Sequence, residues 1–271
     1  MNASRKALTA KQWREVEYHR QHLESLKPRS DTPCYEPIES TSRRWWNHTW
    51  SMYDVLLNAD LAGKTVLVVG CGFGSDALLL SKLGAKVYAF DLSPEVLQVA
   101  SERAQRAGLS IAFEQMAAEN LQYGDDLFDC IVARDILHHV DIPLAMTEIM
   151  RVARPGAVFV ATEVYSHSFV ERIRRSRLVD AHLYPLLANY VYAGRFRYIT
   201  RDERKLTNED VISIKSSLAD ARCEYYYAVV TRLIPDTVTF ACKLDRILLK
   251  ILSPAAHALG SRILLTGRIA K

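Results

Sequence analysis

The chain is predicted to be an α/β protein built on a mostly parallel sheet, and three observations carry that prediction. The stretch VLVVGCGFG (66–74) sets four apolar residues, three of them β-branched, directly before a glycine-rich reversal. That is the signature of a strand buried on both faces that ends in a tight turn. A second apolar run, VYAF (87–90), ends in Asp91. Strand-like and helix-like stretches then alternate as far as residue 163, the pattern of consecutive βαβ units.

Taken in order, residues 5–27 read as a helix, with Trp13, Val16, His19/Arg20, Leu23 and Leu26 at helical spacing. Pro28 ends it, and 28–41, with three prolines, reads as a loop. The aromatic-rich RRWWNHTWSMYDVLLNA (43–59) reads as a second helix. After the first strand, Gly70, Cys71, Gly72, Phe73 and Gly74 reverse the chain, and glycines there let a ligand approach bare backbone. Helices are expected over 76–83 and over 92–109, the latter opened by Ser93 as N-cap and Pro94 as first helical residue. Asp91 follows Gly70 by twenty-one residues, where a carboxylate can accept both ribose hydroxyls of a nucleoside.

Composition bounds the rest. With 271 residues and 49% apolar content the chain can bury one full core plus an extension. The five cysteines (34, 71, 130, 223, 242) form no CxxC pair and read as reduced thiols of a cytoplasmic protein. The N-terminus lacks an apolar signal core, and no run of eighteen apolar residues offers a membrane span. Charge is uneven: residues 1–163 hold 17 basic and 21 acidic side chains, residues 164–271 hold 18 basic and 10 acidic. A basic tail suits an anionic substrate, a nucleic acid, a membrane surface, or simply a solvated helical face. His19 and His22 lie a turn apart but lack further ligands, so no metal site is expected and both read as surface histidines.

The glycines run Gly70, Gly72, Gly74 rather than G-x-G-x-x-G, because Ser75 occupies the third place of the dinucleotide frame. This loop resembles that of class I S-adenosylmethionine-dependent methyltransferases of the small-molecule, ubiquinone-biosynthesis-like type. LSPEVLQVASERAQRAGL (92–109), IAFEQMAAENLQY (111–123) and FDCIVARDILHHVDIPLAMTEIMRVARPGAVFVATE (128–163) resemble that family's following elements in the same order. The resemblance implies a Rossmann-like, seven-stranded, mostly parallel sheet with an antiparallel last strand. ARCEYYYAVV (221–230) and SRILLTGRIA (261–270) would be the sixth and seventh strands. It implies S-adenosyl-L-methionine as cofactor. Gly70, Cys71, Gly72 and Gly74 would pack on its methionine and adenosine, Asp91 would hold the ribose, and Leu92 would lie on the adenine face. Ala118 and Glu119 would meet the adenine edge, and the backbone of Arg134 would lie near the amino group and sulfonium. Two positions depart from the family: Val68 and Ala117 stand where acids are usual, and Asp76 or Glu119 are the nearby acids able to compensate.

The family comparison also divides the chain into an N-terminal helical cap (1–60) and a cofactor-binding domain (61–271) with helical insertions at about 166–206 and 234–260. The first insertion would form a lid, and Trp45, Trp46, Trp50 and Tyr53 would line a substrate cavity or pack on the sheet edge. In the second, Leu244, Ile247, Leu248 and Ile251 form an apolar stripe near Lys243, Arg246 and Lys250, suited to a membrane, a second subunit, a greasy substrate or the domain's own surface.

Methyl transfer to a hydroxyl needs positioning, water exclusion and a base near the acceptor proton. His139 is the first choice as base, His138 the second, and Asp135 would orient an imidazole or touch substrate. The expected function is methyl transfer to a small, partly hydrophobic acceptor at O, N or C, with peripheral membrane contact and homo-oligomerisation as further possibilities. A nucleic-acid methyltransferase is the alternative, although RDILHH (134–139) replaces the Asn/Asp-Pro-Pro-aromatic run common in that class, so no nucleic-acid partner is expected. A non-catalytic assembly subunit is the third reading, motivated by Val68 and Ala117.

Overall fold

The structure, a computed structural model, describes residues 8–26, 33–167, 176–183, 204–232 and 234–271. Its centre is a seven-stranded sheet of β1 (Thr65–Val69), β2 (Lys86–Asp91), β3 (Ile111–Gln115), β4 (Phe128–Arg134), β5 (Ala153–Val164), β6 (Leu218–Tyr226) and β7 (Arg262–Ile269). The strand order is β3-β2-β1-β4-β5-β7-β6. Strands β1 to β5 pair in parallel, whereas β7 runs antiparallel to both β5 and β6. The order reverses between β1 and β4, so the crevice at their carboxyl ends is where such sheets bind ligands.

Alternation along β1 explains why both faces are covered. Leu67 and Val69 join a core on one face with Ile131, Phe159 and Leu265. Val66 and Val68 join a core on the other with Val132, Val160 and Leu264. Helix α6 (Ile142–Val152) closes the first face with Ala145, Met146 and Ile149, helped by α7 (Asn208–Ser216). Helices α3 (His48–Asn58) and α4 (Ser75–Lys82) close the second.

Local signals set most boundaries. Ser93 Oγ accepts the Val96 N–H and opens α5 (Pro94–Arg106). Thr207 and Asp210 form the reciprocal cap of α7. Helix α3 starts at residue 48 rather than 43, because Asn47 Oδ1 accepts the N–H groups of Thr49 (3.0 Å) and Trp50 (3.2 Å). The expected loop contains a four-residue helix, α2 (Glu36–Glu39). Strand β6 begins at Leu218, three residues before the predicted start.

The aromatic set of α3 packs rather than lining a cavity. Trp50 and Tyr53 are buried with Met52 and Leu56, and the Arg43 and Arg44 guanidiniums lie 4.7 Å from the Trp50 ring. Helix α1 (Ala10–Leu26) packs against α5. The predicted 166–206 insertion falls largely outside the described residues. Its ends meet: Ser166 N–H donates to Leu206 O and Leu206 N–H to Val164 O. Helices α8 (Thr239–Ile251) and α9 (Ala256–Leu259) occupy the second insertion between β6 and β7. All five cysteines are free thiols. Among the described residues no helix is long and apolar enough to cross a membrane, and no His/Cys/Asp/Glu cluster could hold a metal ion.

Candidate active site

The glycine turn and the end of β2 face one another. Asp91 Oδ2 accepts the Gly72 N–H at 2.9 Å, and its Oδ1 accepts the Ser93 N–H at 3.1 Å. Both residues line a cavity of about 310 Å³, with Gly70, Cys71, Leu92, Ala118, Glu119 and Arg134 also in its wall. Of the predicted cofactor residues only Gly74 stands back from it, packing on α5, where an added Cβ would come within 3.0 Å of the Ala100 Cβ.

The other two glycines serve different needs. At Gly70 (φ +59°) a Cβ would lie 2.4 Å from Ile136 Cγ1, so this glycine lets the loop rest on the segment after β4. At Gly72 (φ +51°) a Cβ would meet nothing within 4 Å. Bare backbone thus borders the cavity at Gly72, as close approach of a bulky ligand requires. Arg103 of α5 pins the loop by donating to the Phe73 carbonyl. This open space, bordered by bare backbone at Gly72 and by the Asp91 carboxylate, suits the nucleoside and amino-acid parts of S-adenosylmethionine. Cys71 is buried, which together with the nearby Asp91 charge raises its thiol well above the usual range and disfavours the thiolate.

Val68 brings no carboxylate to the crevice, whereas Asp76 lines it. Val68 is buried in the sheet core. Asp76, at the start of α4, brings a carboxylate into the cavity wall instead. Its Oδ1 accepts the Tyr53 hydroxyl and its Oδ2 the Arg134 Nε–H, both at 2.6 Å. The Asp76 charge holds the Arg134 guanidinium protonated even more firmly than usual. Burial, reinforced by the same charge, raises the Tyr53 phenol well above its ordinary range.

The two histidines after β4 part ways. His138 is buried, and its Nδ1 lies 2.6 Å from Glu163 Oε2. Glu163 Oε1 also accepts the N–H groups of Ile136 (2.8 Å) and Leu137 (2.7 Å). This fully buried carboxylate fixes the turn, and His138 is outside the cavity wall. His139 lines the cavity, its Nδ1 3.5 Å from Glu15 Oε1. Glu15 and His19, both on α1, line it too, with His19 Nδ1 4.0 Å from the same Glu15 oxygen. His19 is therefore a cavity residue, not the surface histidine expected from its spacing. Gln12 extends the seal from α1: its Nε2 donates to Glu119 Oε2 at 3.0 Å, and Glu119 Oε1 accepts the Asp141 N–H at 2.9 Å. Sequence reasoning missed Glu15 and Gln12. Their helical phase relative to Val16, the one buried residue among the described side chains of α1, was the available signal.

Asp135 also lines the cavity and holds a left-handed conformation (φ +56°), uncommon for a residue with a side chain. Its carboxylate pairs with Arg262. Burial alone would raise its pKa, but the Arg262 and Arg134 guanidiniums hold it below the usual carboxylate range. Behind it His48 Nδ1 faces the Tyr227 hydroxyl at 3.3 Å. Burial, then the Arg262 charge, pushes His48 down to about 3. A second chamber of about 790 Å³ shares Leu92, Met116, Glu119 and Val140 with the first and continues past Trp13 and Leu144.

Comparison with known proteins agrees with this arrangement. Residues 67–161 match the family model described as "Methyltransferase domain". The ubiquinone biosynthesis O-methyltransferase of Methylococcus capsulatus is 32% identical over 143 residues, 47% of this chain and 60% of that one. A probable phthiotriol/phenolphthiotriol dimycocerosates methyltransferase of Mycobacterium ulcerans is 34% identical over 137 residues, 49% of this chain and 52% of that one. The chain thus spans between about half and three fifths of these relatives' lengths. Among solved structures, geranyl diphosphate C-methyltransferase from Streptomyces coelicolor superposes with a TM-score of 0.60 at 12% identity, covering 98% of this chain and 100% of that one. The YcgJ protein of Bacillus subtilis does so at 0.56 and 21% identity, covering 83% and 100%. These two structures share the fold. Together with the family model and the relatives, the sheet order and the glycine–aspartate crevice identify the region around residues 67–161 as a class I S-adenosylmethionine-dependent methyltransferase domain.

Proposed function

We propose that this chain methylates a hydroxyl of a small, partly hydrophobic acceptor, with S-adenosylmethionine as donor. The observation that carries the reading is the pairing, across one cavity, of the Gly72–Asp91 crevice with the Glu15–His139 pair. S-adenosylmethionine, when bound, supplies an electrophilic methyl group with a good leaving group. Asp91 and the backbone at Gly70 and Gly72 would hold it, and Leu92, Ala118 and Glu119 would face its base.

What remains for the chain is to place the acceptor, keep water out and receive one proton. Helix α1 excludes water, through the Gln12–Glu119 bond and the apolar Val16 contact. His139 takes the hydroxyl proton at Nε2, and the Glu15 carboxylate beside Nδ1 stabilises the imidazolium that forms. Asp135, fixed by Arg262, orients polar groups of the acceptor from the tip of β4. His138 has no part in the reaction; its bond to Glu163 shapes the turn that presents His139. The printed name of one relative, an O-methyltransferase of ubiquinone biosynthesis, supports an oxygen acceptor.

The test is in two steps. Calorimetry with S-adenosylhomocysteine should show micromolar binding. Radiolabelled methyl transfer, screened over catechols, hydroquinones and long-chain alcohols, should then give an O-methyl product. Binding without transfer to any hydroxylated acceptor, but with transfer to an amine or carbon acid, would sink the oxygen assignment.

A further inference from the structure

Helix α8 is turned the opposite way from its sequence pattern. At about 100° per residue, Phe240, Leu244, Ile247 and Ile251 share one stripe, which an amphipathic helix normally buries. Here Phe240 (67% exposed), Ile247 (44%) and Ile251 (71%) face outward. The buried face instead carries Asp245, fully enclosed. Its two oxygens accept the N–H groups of Ala228, Val229, Val230 and Thr231, and the Thr231 hydroxyl at 2.6 Å. No rotation of the helix can bury the stripe without stranding that carboxylate, so the outward orientation is locked.

Further exposed apolar side chains lie at the two ends of α8 and beside its lysines. Trp45, Val238, Phe240, Ile247, Ile251 and Leu252 are half of the large apolar side chains exposed among the described residues. Lys243 and Lys250 flank it, with Nζ atoms 4.3 Å from the Trp46 ring centre and 5.3 Å from that of Trp45. Asp245, the helix's one carboxylate, is the buried one. Apolar side chains with a tryptophan beside them, on a helix edged by lysines and with no outward acid of its own, match the interface of an anionic bilayer; the exposed Glu224 nearby is paired with Arg246. A second copy of this chain would set the same lysines against a surface with no carboxylate on the helix to answer them. The helix has 13 residues, too few to span a bilayer, so it would lie in the plane of the surface.

We propose that the outward face of α8, with Trp45, docks this protein on an anionic lipid surface. The inference is independent of the acceptor assigned above and bears on where a greasy acceptor would be met.

The experiment is vesicle flotation of the full chain with phosphatidylcholine alone and with added phosphatidylglycerol. Binding should be about tenfold stronger to the anionic vesicles and should weaken in high salt. Phe240→Asp and Ile251→Asp, both at exposed positions, should each weaken it about tenfold. The same variants should keep the wild-type Tm and S-adenosylhomocysteine affinity, which separates this proposal from the methyl-transfer reading. Lys243→Gln with Lys250→Gln should remove the preference for anionic lipid. Failure to bind anionic vesicles, or binding that survives Phe240→Asp and Ile251→Asp, overturns the proposal. So does a concentration-dependent dimer in sedimentation that Phe240→Asp dissolves while vesicle binding is absent, which would make the face a subunit contact.

Discussion

Glu15 on the first helix lies 3.5 Å from Nδ1 of His139 beyond the fourth strand, across the cavity that Asp91 and the glycine turn close from the other side. His139→Ala should therefore lower kcat by about 10²–10⁴-fold, the usual worth of a general base. Glu15→Gln, which keeps the shape and removes the charge, should cost about tenfold in kcat. In both variants KM and S-adenosylhomocysteine affinity should stay within about threefold, because neither residue is assigned to cofactor binding. A fall in affinity with kcat unchanged would reassign the pair to the cofactor side. Stopped-assay kinetics with calorimetry separate the outcomes.

Asp91 accepts two backbone N–H groups, and the proposed function assigns it the ribose hydroxyls. Asp91→Ala should weaken cofactor binding by about 1.5–3 kcal/mol, a charge-assisted hydrogen bond's worth, or roughly 10- to 150-fold. Calorimetric titration measures it. Unchanged affinity would show that the nucleoside is held elsewhere.

Gly70→Ala and Gly72→Ala should fail in different ways. Both place a side chain at positive φ, at about 1–2 kcal/mol each. Gly70→Ala also drives a methyl into Ile136, so its Tm should fall further, and Ile136→Ala in the same chain should restore part of the loss. At Gly72 no protein atom is near enough to clash. That variant should fold with a small Tm loss and bind S-adenosylhomocysteine poorly. Thermal melts with and without the ligand distinguish the two.

His48 sets a pH dependence. Folded, it stays neutral down to about 3; unfolded, it gains a proton below about 6.5. The unfolded state therefore binds more protons between these values. The stability it contributes is fully present above 6.5 and is lost as pH falls toward 3. Urea unfolding of the wild type should lose at most about 1 kcal/mol more than His48→Gln between pH 6.5 and 5.5, since the ring keeps partial access to solvent. Equal losses in both proteins would contradict the assignment.

Local chemistry was readable along the chain. Four apolar residues before Gly70 marked a two-sided strand, and Ser93 and Pro94 marked a helix start where a cap was found. Gly70, Gly72 and Asp91 were found by spacing alone, because a turn and the strand beside it are near neighbours in sequence and pair in register. The missed residues depended on distant partners. His19 looked solvated because nothing nearby in sequence reveals that α1 folds over the crevice. His139 was only slightly preferred to His138 along the chain, because the contact of His138 with Glu163 on the neighbouring strand exists only in the fold.

The amino-acid order by itself determined the alternation of strands and helices, the glycine crevice and its facing acid, since period, capping and turn propensity act within a few residues. Only the tertiary structure decided which face of each helix meets the protein. Asp76 found Tyr53 and Arg134, Glu15 found His139, and Asp245 outweighed an apolar stripe by gathering four backbone N–H groups. The reason is energetic: leaving a buried carboxylate or several amides unpaired costs more than leaving a few aliphatic side chains in water, and that balance exists only once distant segments are packed together.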